Sequence, residues 1–227
     1  MKKIIIGLIF ICIVIFAFLL SNDDQSSENN NNKIVNINYD RKDNQEEFDF
    51  ETDNPVVKIN IENYGDIYIE LLEEYAKNTV ANFVNLVNEG FYDNNNFHRL
   101  VKGFVLQGGD PTGTGTGGED NHIKGEFENN GFKNNLKHEK GIVSMARSQD
   151  NDSASSQFFI VLDKKESLDG SYAAFGKVIE GIDILTNIEE NEEIENETTG
   201  KLKNNIKIVK ATIDLNKYNK KSVEMIK

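Results

Sequence analysis

The chain has 227 residues, with 38 acidic and 25 basic side chains, a formal net charge of −13, one cysteine and no tryptophan. Such an acidic surface repels nucleic acid and anionic headgroups at contact range, so we expect no nucleic-acid partner. A single cysteine excludes an intramolecular disulfide, and three histidines without zinc-type spacing predict no metal site, so that folding must depend on a hydrophobic core.

Residues 1–20 predict a membrane anchor or an export signal, because Lys2 and Lys3 precede an uncharged apolar stretch that ends at Leu20. The stretch reaches the lower end of the roughly 17–25 residues that span a bilayer, and it exceeds the roughly 7–15 of a cleavable signal. No Ala-x-Ala site follows it, and Cys12 lacks the small neighbours of a lipid-attachment site. We expect a retained anchor with the remaining chain on the extracytoplasmic side. A cleaved signal with secretion is the first alternative, and lipidation is the second.

Residues 21–54 predict a flexible spacer, since they are rich in Asn, Asp, Glu and Ser and carry too little apolar surface to order themselves. The apolar residues between positions 34 and 39 suggest a short strand or a docking segment within this spacer.

The folded part begins with two alternating segments, 56–61 and 65–72, which predict a hairpin across Asn63-Tyr64-Gly65. A helix with one apolar stripe follows, with Asn78 as its N-cap and Gly90 just beyond its end. Alternating or apolar segments then predict further strands at 97–100, 101–107, 141–146, 157–162, 173–178 and 206–215.

A second helix is expected at 182–188, followed by an exposed acidic loop at 189–200. Many short strands with two helices fit a closed antiparallel β-barrel. We expect one folded domain over residues 55–215 and a loose tail over 216–227.

The segment from Phe97 to Asp110, FHRLVKGFVLQGGD, sets one arginine among apolar side chains. The guanidinium of Arg99 cannot lose its proton and so cannot act as a general base. It can donate hydrogen bonds beside an apolar wall, which suits a neutral, partly apolar substrate such as a peptide bond.

This segment resembles the cyclophilins, the peptidyl-prolyl cis-trans isomerases. Five further segments match the family in its order and at close to its spacing: GTGTGGE (113–119), GIVSMA (141–146), SQFFI (156–160), LDG (168–170) and AAFGKVIEG (173–181). Together the matching segments cover roughly residues 56–215. The resemblance implies a mainly β fold, a closed eight-stranded antiparallel barrel capped by two α-helices, and an isomerase that needs no cofactor.

The resemblance also assigns roles to individual residues. Arg99 would donate to the prolyl nitrogen as the Xaa-Pro bond twists, while Gln107 holds its guanidinium. The remaining assignments are Phe104, Val105, Phe159 and Leu168 as the proline pocket, Gln157 as a contact to substrate backbone, the main chain of Ala146 and Arg147 as the partner of the residue before proline, and Tyr172 as a pocket wall where many members carry histidine.

Three residues depart from the pattern of many eukaryotic members. Ser167 stands in place of a tryptophan, Arg147 in place of an asparagine and Val105 in place of a methionine. Because that tryptophan helps bind cyclosporin in the family, we expect weaker binding of the drug here.

Two other motifs are rejected as sites. The glycines between 113 and 118 formally satisfy GxGxxG, but Pro111 precedes them and Glu119-Asp120 follows, so no dinucleotide site is expected and the loop should shape the rim of the site. Ser144 and Ser156 are expected to lack a histidine partner with a credible role as a base, which argues against hydrolase chemistry.

The sequence therefore predicts a monomeric isomerase acting on proline-containing polypeptides and assisting the folding of exported proteins. One alternative is a proline-peptide binding module or holdase with little turnover, against which Arg99 and Gln107 argue. A second alternative is that the tether holds the domain beside one membrane partner, which residues 34–39 would contact.

Overall fold

The computed structural model describes residues 32–226. The strands, in chain order, are β1 (Lys33–Asn36), β2 (Val56–Ile61), β3 (Gly65–Leu71), β4 (Asn96–Val101), β5 (Val105–Gly108), β6 (Ile142–Met145), β7 (Phe158–Val161), β8 (Ala174–Glu180), β9 (Ile194–Asn196), β10 (Lys201–Asp214) and β11 (Ser222–Met225). The helices are α1 (Lys77–Asn88) and α2 (Ile182–Asn191), with 3-10 turns at Glu128–Asn130 and Glu166–Leu168.

Eight strands form a closed antiparallel barrel in the order β2-β3-β8-β6-β7-β5-β4-β10, and β10 closes it by pairing with β2. The predicted hairpin forms the first two strands of the barrel, with Ile59 opposite Ile67. The backbone at Asn63 and Gly65 in its turn is left-handed. Closure leaves the barrel without exposed sheet edges of its own, which is the usual advantage of this architecture. The predicted fold, a mainly β eight-stranded barrel with two helices, is confirmed.

The main core fills the barrel and the inner face of α1. An aromatic cluster joins the two layers: the ring of Phe83 on α1 lies 5.3 Å from Phe158 and 5.0 Å from Phe175, centroid to centroid. Tyr92 completes the cluster, and its buried hydroxyl donates to the carbonyl of Ser156 at 3.0 Å. Each fully buried side chain of this size contributes roughly 1.5–3 kcal/mol relative to exposure.

The start of α1 differs from the prediction. Asn78 lies inside the helix, and the N-cap position is Ala76, which makes no side-chain cap. The carboxylate of Glu126, from a distant loop, instead accepts hydrogen bonds from the Asn78 and Thr79 backbone N–H groups at 3.1 and 2.7 Å. An anion suits this end of a helix because its first N–H groups are unpaired and carry partial positive charge.

The predicted spacer and tail also differ, because parts of both are folded. β1, from the predicted spacer, pairs antiparallel with β11, from the predicted tail. Val223 and Met225 of β11 are buried, with exposed Glu224 between them, so a short alternating segment packs against the domain. The segment at 34–39 therefore contacts its own chain, with Ile37 buried and Ile34 exposed.

Residues 37–54 continue over the surface of the barrel. Asn44 is buried, and its side-chain amide donates to both carboxylate oxygens of Asp93 and to the Ala211 carbonyl. Phe48 packs edge-on against Tyr68 at 5.3 Å between ring centroids. Composition predicted disorder here because it does not reveal that polar side chains have buried partners elsewhere in the chain.

The second helix runs to Asn191, and the expected exposed loop contains β9, which pairs with β10. The predicted anchor at 1–20 lies outside the described residues. From residue 32 to 226, no helix combines the length and apolarity needed to cross a membrane.

Candidate active site

Arg99 and Gln107 face one another across the β4–β5 hairpin, where they are register partners. The Arg99 Nη1 donates to Gln107 Oε1 at 3.1 Å, and its Nε donates to the Thr199 carbonyl at 2.8 Å. Both side chains are half-buried. The hairpin thus holds a permanent cation at the barrel surface with a defined orientation.

A second amide extends this arrangement. Gln107 Nε2 donates to Gln157 Oε1 at 2.8 Å, and Gln157 Nε2 donates to the carbonyls of Gly115 and Gly117 at 3.1 and 2.7 Å. Arg99, Gln107 and Gln157 thus form a hydrogen-bonded relay that ends at the glycine carbonyls. Each glutamine accepts on one side and donates on the other, so these carbonyls determine the direction of both amides.

An apolar floor lies beside this relay and is separate from the main core. It brings together six residues that the sequence assigned to the substrate site: Phe104, Val105, Ala146, Phe159, Leu168 and Tyr172. Val105, Phe159 and Leu168 are buried, whereas the other three are partly exposed. The Tyr172 ring meets Phe159 edge-on, with 5.5 Å between centroids. The floor offers an apolar surface of the kind a proline ring requires.

Arg147 reinforces the Tyr172 wall in a way that the sequence did not predict. Its guanidinium carbon lies 4.9 Å from the ring centroids of both Phe127 and Tyr172. Its Nε and Nη2 donate to the Ser171 carbonyl at 3.1 and 2.9 Å. The backbone N–H of Ala146 already donates to the Gln157 carbonyl, so the predicted substrate pairing at 146–147 would have to use the other main-chain groups there.

A buried polar group beneath the floor gives Ser144 a histidine partner. His138 Nε2 lies 3.1 Å from Ser144 Oγ, and its Nδ1 lies 3.0 Å from Asp169 Oδ1. The His138 ring also stacks on Phe159 at 6.1 Å. Ser144 is fully buried, so this arrangement supports the floor and cannot attack a substrate.

Burial lowers the pKa of His138, although the hydrogen bond and charge of Asp169 act in the opposite direction. Burial by itself would raise the pKa of Asp169, but hydrogen bonds from His138 and Lys137 hold it below its usual value. Asp169 belongs to the LDG motif, but the sequence does not link it to His138, because the two residues are distant in the chain.

The glycine loop is organised by Asp110, another residue that sequence reasoning missed. This buried carboxylate accepts from the backbone N–H groups of Thr112, Gly115 and Gly117 at 2.7, 2.7 and 3.0 Å. Burial would raise the pKa of Asp110, but these hydrogen bonds lower it. The loop encloses its own anion, and its Gly115 and Gly117 carbonyls accept from Gln157. Over residues 32–226, no three metal-ligating side chains converge.

Comparisons with known proteins identify similar proteins of one family. A family model described as cyclophilin type peptidyl-prolyl cis-trans isomerase/CLD matches residues 56–213. Peptidyl-prolyl cis-trans isomerase B of Bacillus subtilis is 47% identical over 128 residues, which cover 56% of this chain and 86% of that protein. A peptidyl-prolyl cis-trans isomerase of Helicobacter pylori is 44% identical over 135 residues, 59% of this chain and 80% of that protein.

Longer proteins share the same domain: peptidyl-prolyl cis-trans isomerase-like 2 of Rhizopus delemar is 43% identical over 130 residues, but the match spans only 24% of its length. Among solved structures, a Cryptosporidium parvum cyclophilin crystallised in the presence of the dipeptide Ala-Pro is similar with a TM-score of 0.63 and 36% identity. That similarity covers 70% of this chain and 98% of the other. With its barrel and its family match over most of its length, this chain belongs to the cyclophilin-type peptidyl-prolyl cis-trans isomerases.

Proposed function

We propose that Arg99 is the catalytic donor and that proline-containing polypeptides are the substrates. Rotation about a peptide bond faces a barrier of roughly 18–20 kcal/mol, and uncatalysed exchange at Xaa-Pro takes tens to hundreds of seconds. As the bond twists, amide conjugation is lost and the prolyl nitrogen gains a usable lone pair. A donor aimed at that nitrogen stabilises the twisted amide more than either planar form, which is what acceleration requires.

The observation that carries this proposal is the position of the Arg99 guanidinium, held by Gln107, whose strand register partner is Phe159 of the apolar floor. Phe104, Val105, Phe159 and Leu168 would grip the proline ring while the acyl side rotates, and Gln157 would contact substrate backbone. The Ala-Pro dipeptide used with the Cryptosporidium parvum relative supports the substrate class.

The test is cis-to-trans exchange of an Ala-Pro peptide catalysed by the full chain. We expect Arg99→Ala to lower kcat/KM by roughly 100- to 1,000-fold, the usual cost of removing one transition-state donor. Arg99→Lys should recover part of the rate, since it keeps the charge but loses the planar fork.

The matched control is Arg41→Ala, which removes an exposed arginine paired with Glu89 and should leave the rate unchanged. If the parent chain binds the peptide but exchange is no faster than in buffer, the holdase hypothesis would be favoured over the isomerase. An Arg99→Ala variant as active as the parent would exclude Arg99 as the donor.

We further propose that residues 1–20 anchor a monomeric domain on the extracytoplasmic side of a membrane, where it assists the folding of exported proteins. The apolar stretch that follows Lys2 and Lys3 supports this location. Without protease, the protein should be recovered in the membrane fraction. Protease added to whole cells should digest the domain. Full protection from protease would contradict the orientation, and recovery of a shortened protein in the medium would favour a cleaved signal.

A further inference from the structure

The terminal strands β1 and β11 form a two-stranded sheet outside the region that the family model matches. The sheet is held to the barrel through α1. The side chain of Asn78 accepts from the Glu224 backbone N–H at 2.8 Å and donates to the Glu224 carbonyl at 2.7 Å. Buried Val223 and Met225 flank this contact. β11 is therefore fixed to the domain along its length.

The end of β11 continues into a connection with the loop that follows β5. Ile226 and His122 exchange two backbone hydrogen bonds, at 2.7 and 3.2 Å. The next residue, Ile123, donates to the Ala154 carbonyl at 2.8 Å. Adjacent residues of an extended segment direct their backbone groups to opposite sides, so residues 122 and 123 join the C-terminal strand to Ala154.

Ala154 ends a loop that begins at the substrate side of the site. Residues 148–153 follow Arg147, and the loop is closed by the Ser153 hydroxyl, which accepts from the Ser148 N–H at 2.9 Å. Three residues beyond Ala154, Gln157 joins the relay to Gln107. Both ends of this loop therefore lie close to residues that were assigned as contacts to the substrate backbone.

A cleft of about 500 Å³ lies between the C-terminal segment and this loop. Its lining consists of His122 and Ile226 on one side and Ser148, Asp150, Asp152 and Ser153 on the other. The C-terminal segment thus forms one wall of a depression whose other wall is the loop beside Arg147. The loop has further supports, such as the Gly125 N–H that donates to Asp152 at 3.0 Å, so loss of one contact should loosen it without unfolding the domain.

We propose that Ile226, through its backbone pair with His122, is a positioning residue that holds the 148–154 loop against the part of a substrate N-terminal to proline. This inference rests on the proposed placement of substrate along Ala146 and Arg147. The terminal strands would then act on substrate affinity and leave the Arg99 donor untouched.

The test compares two chains that both begin at residue 1 and differ by one residue at the C-terminus. One ends at Met225 and lacks the pair with His122; the control ends at Ile226 and keeps it. For a peptide with four residues before proline, we expect KM to rise about three- to tenfold in the shorter chain, the size expected for losing one or two neutral hydrogen bonds. The kcat should be unchanged, and hydrogen exchange at the Ile123 amide should accelerate.

A merely structural role predicts a different result, in which the thermal midpoint falls and kcat falls with the folded fraction. Equal KM values, or a loss confined to kcat, would overturn the inference while leaving the isomerase intact. If neither chain accelerates exchange, the proposed function fails and the inference fails with it. A normal Arg99-dependent rate in the control chain distinguishes these two failures.

Discussion

At the scale of single residues, the orientation of Arg99 is established before a substrate arrives. Gln107 accepts from the guanidinium, and Gln157 and the glycine carbonyls fix the direction of the Gln107 amide. Prearranged donors are effective because no reorganisation is needed when charge or a lone pair develops. The residue types were recognisable in the sequence. The directions of the two amides were not, because they depend on acceptors in a loop distant in the chain.

The buried histidines give a prediction about pH. Burial lowers the pKa of His138 and also that of His98, in each case against the pull of a nearby aspartate. In the unfolded chain both titrate near the ordinary value of about 6.5. As the pH falls below that value, the unfolded state takes up protons that the folded state resists, so the free energy of unfolding decreases.

Urea denaturation between pH 7.5 and 5 measures this effect. We expect lower stability at pH 5 and a shallower pH dependence in His138→Gln. The slope with pH is the informative quantity, because the substitution also removes the bonds to Asp169 and Ser144. Identical slopes in the parent and the variant would show that His138 does not contribute.

At the scale of elements, α1 shows how a distant residue can complete a local structure. Glu126 is buried and accepts from two backbone N–H groups in the first turn and from the Thr79 hydroxyl. We expect Glu126→Ala to lower the free energy of unfolding by about 1–3 kcal/mol, since it leaves buried donors without acceptors. Glu126→Gln should cost less, because it keeps one acceptor oxygen.

The midpoint of urea unfolding measures the cost, and Glu128→Ala is the matched control, since Glu128 is exposed two residues away. Equal midpoints for Glu126→Ala and the control would mean that solvent caps the helix as well as the carboxylate does. The apolar stripe predicted this helix correctly, because periodicity is a local signal. Its cap was predicted wrongly, because Asn78 has the right residue type but Glu126 supplies the contact.

At the scale of the whole molecule, the folded unit is larger than the predicted domain of residues 55–215. β1 and β11 pair across nearly the full length of the chain, and Asn44 is buried against Asp93. A fragment limited to residues 55–215 would lose both strands and the C-terminal contact with His122. Experiments on substrate affinity therefore need a chain that keeps both termini.

The sequence by itself determined the barrel, its first hairpin and six residues of the apolar floor, because alternation, turn residues and short motifs act over a few positions. Tertiary structure decided the amide relay, the Asp169–His138–Ser144 group under Phe159, the Glu126 cap and the terminal sheet. Each of these depends on polar or short apolar segments that meet only when the barrel closes. The sequence does not show whether a polar side chain faces water or a buried partner. Only the fold distinguishes the two.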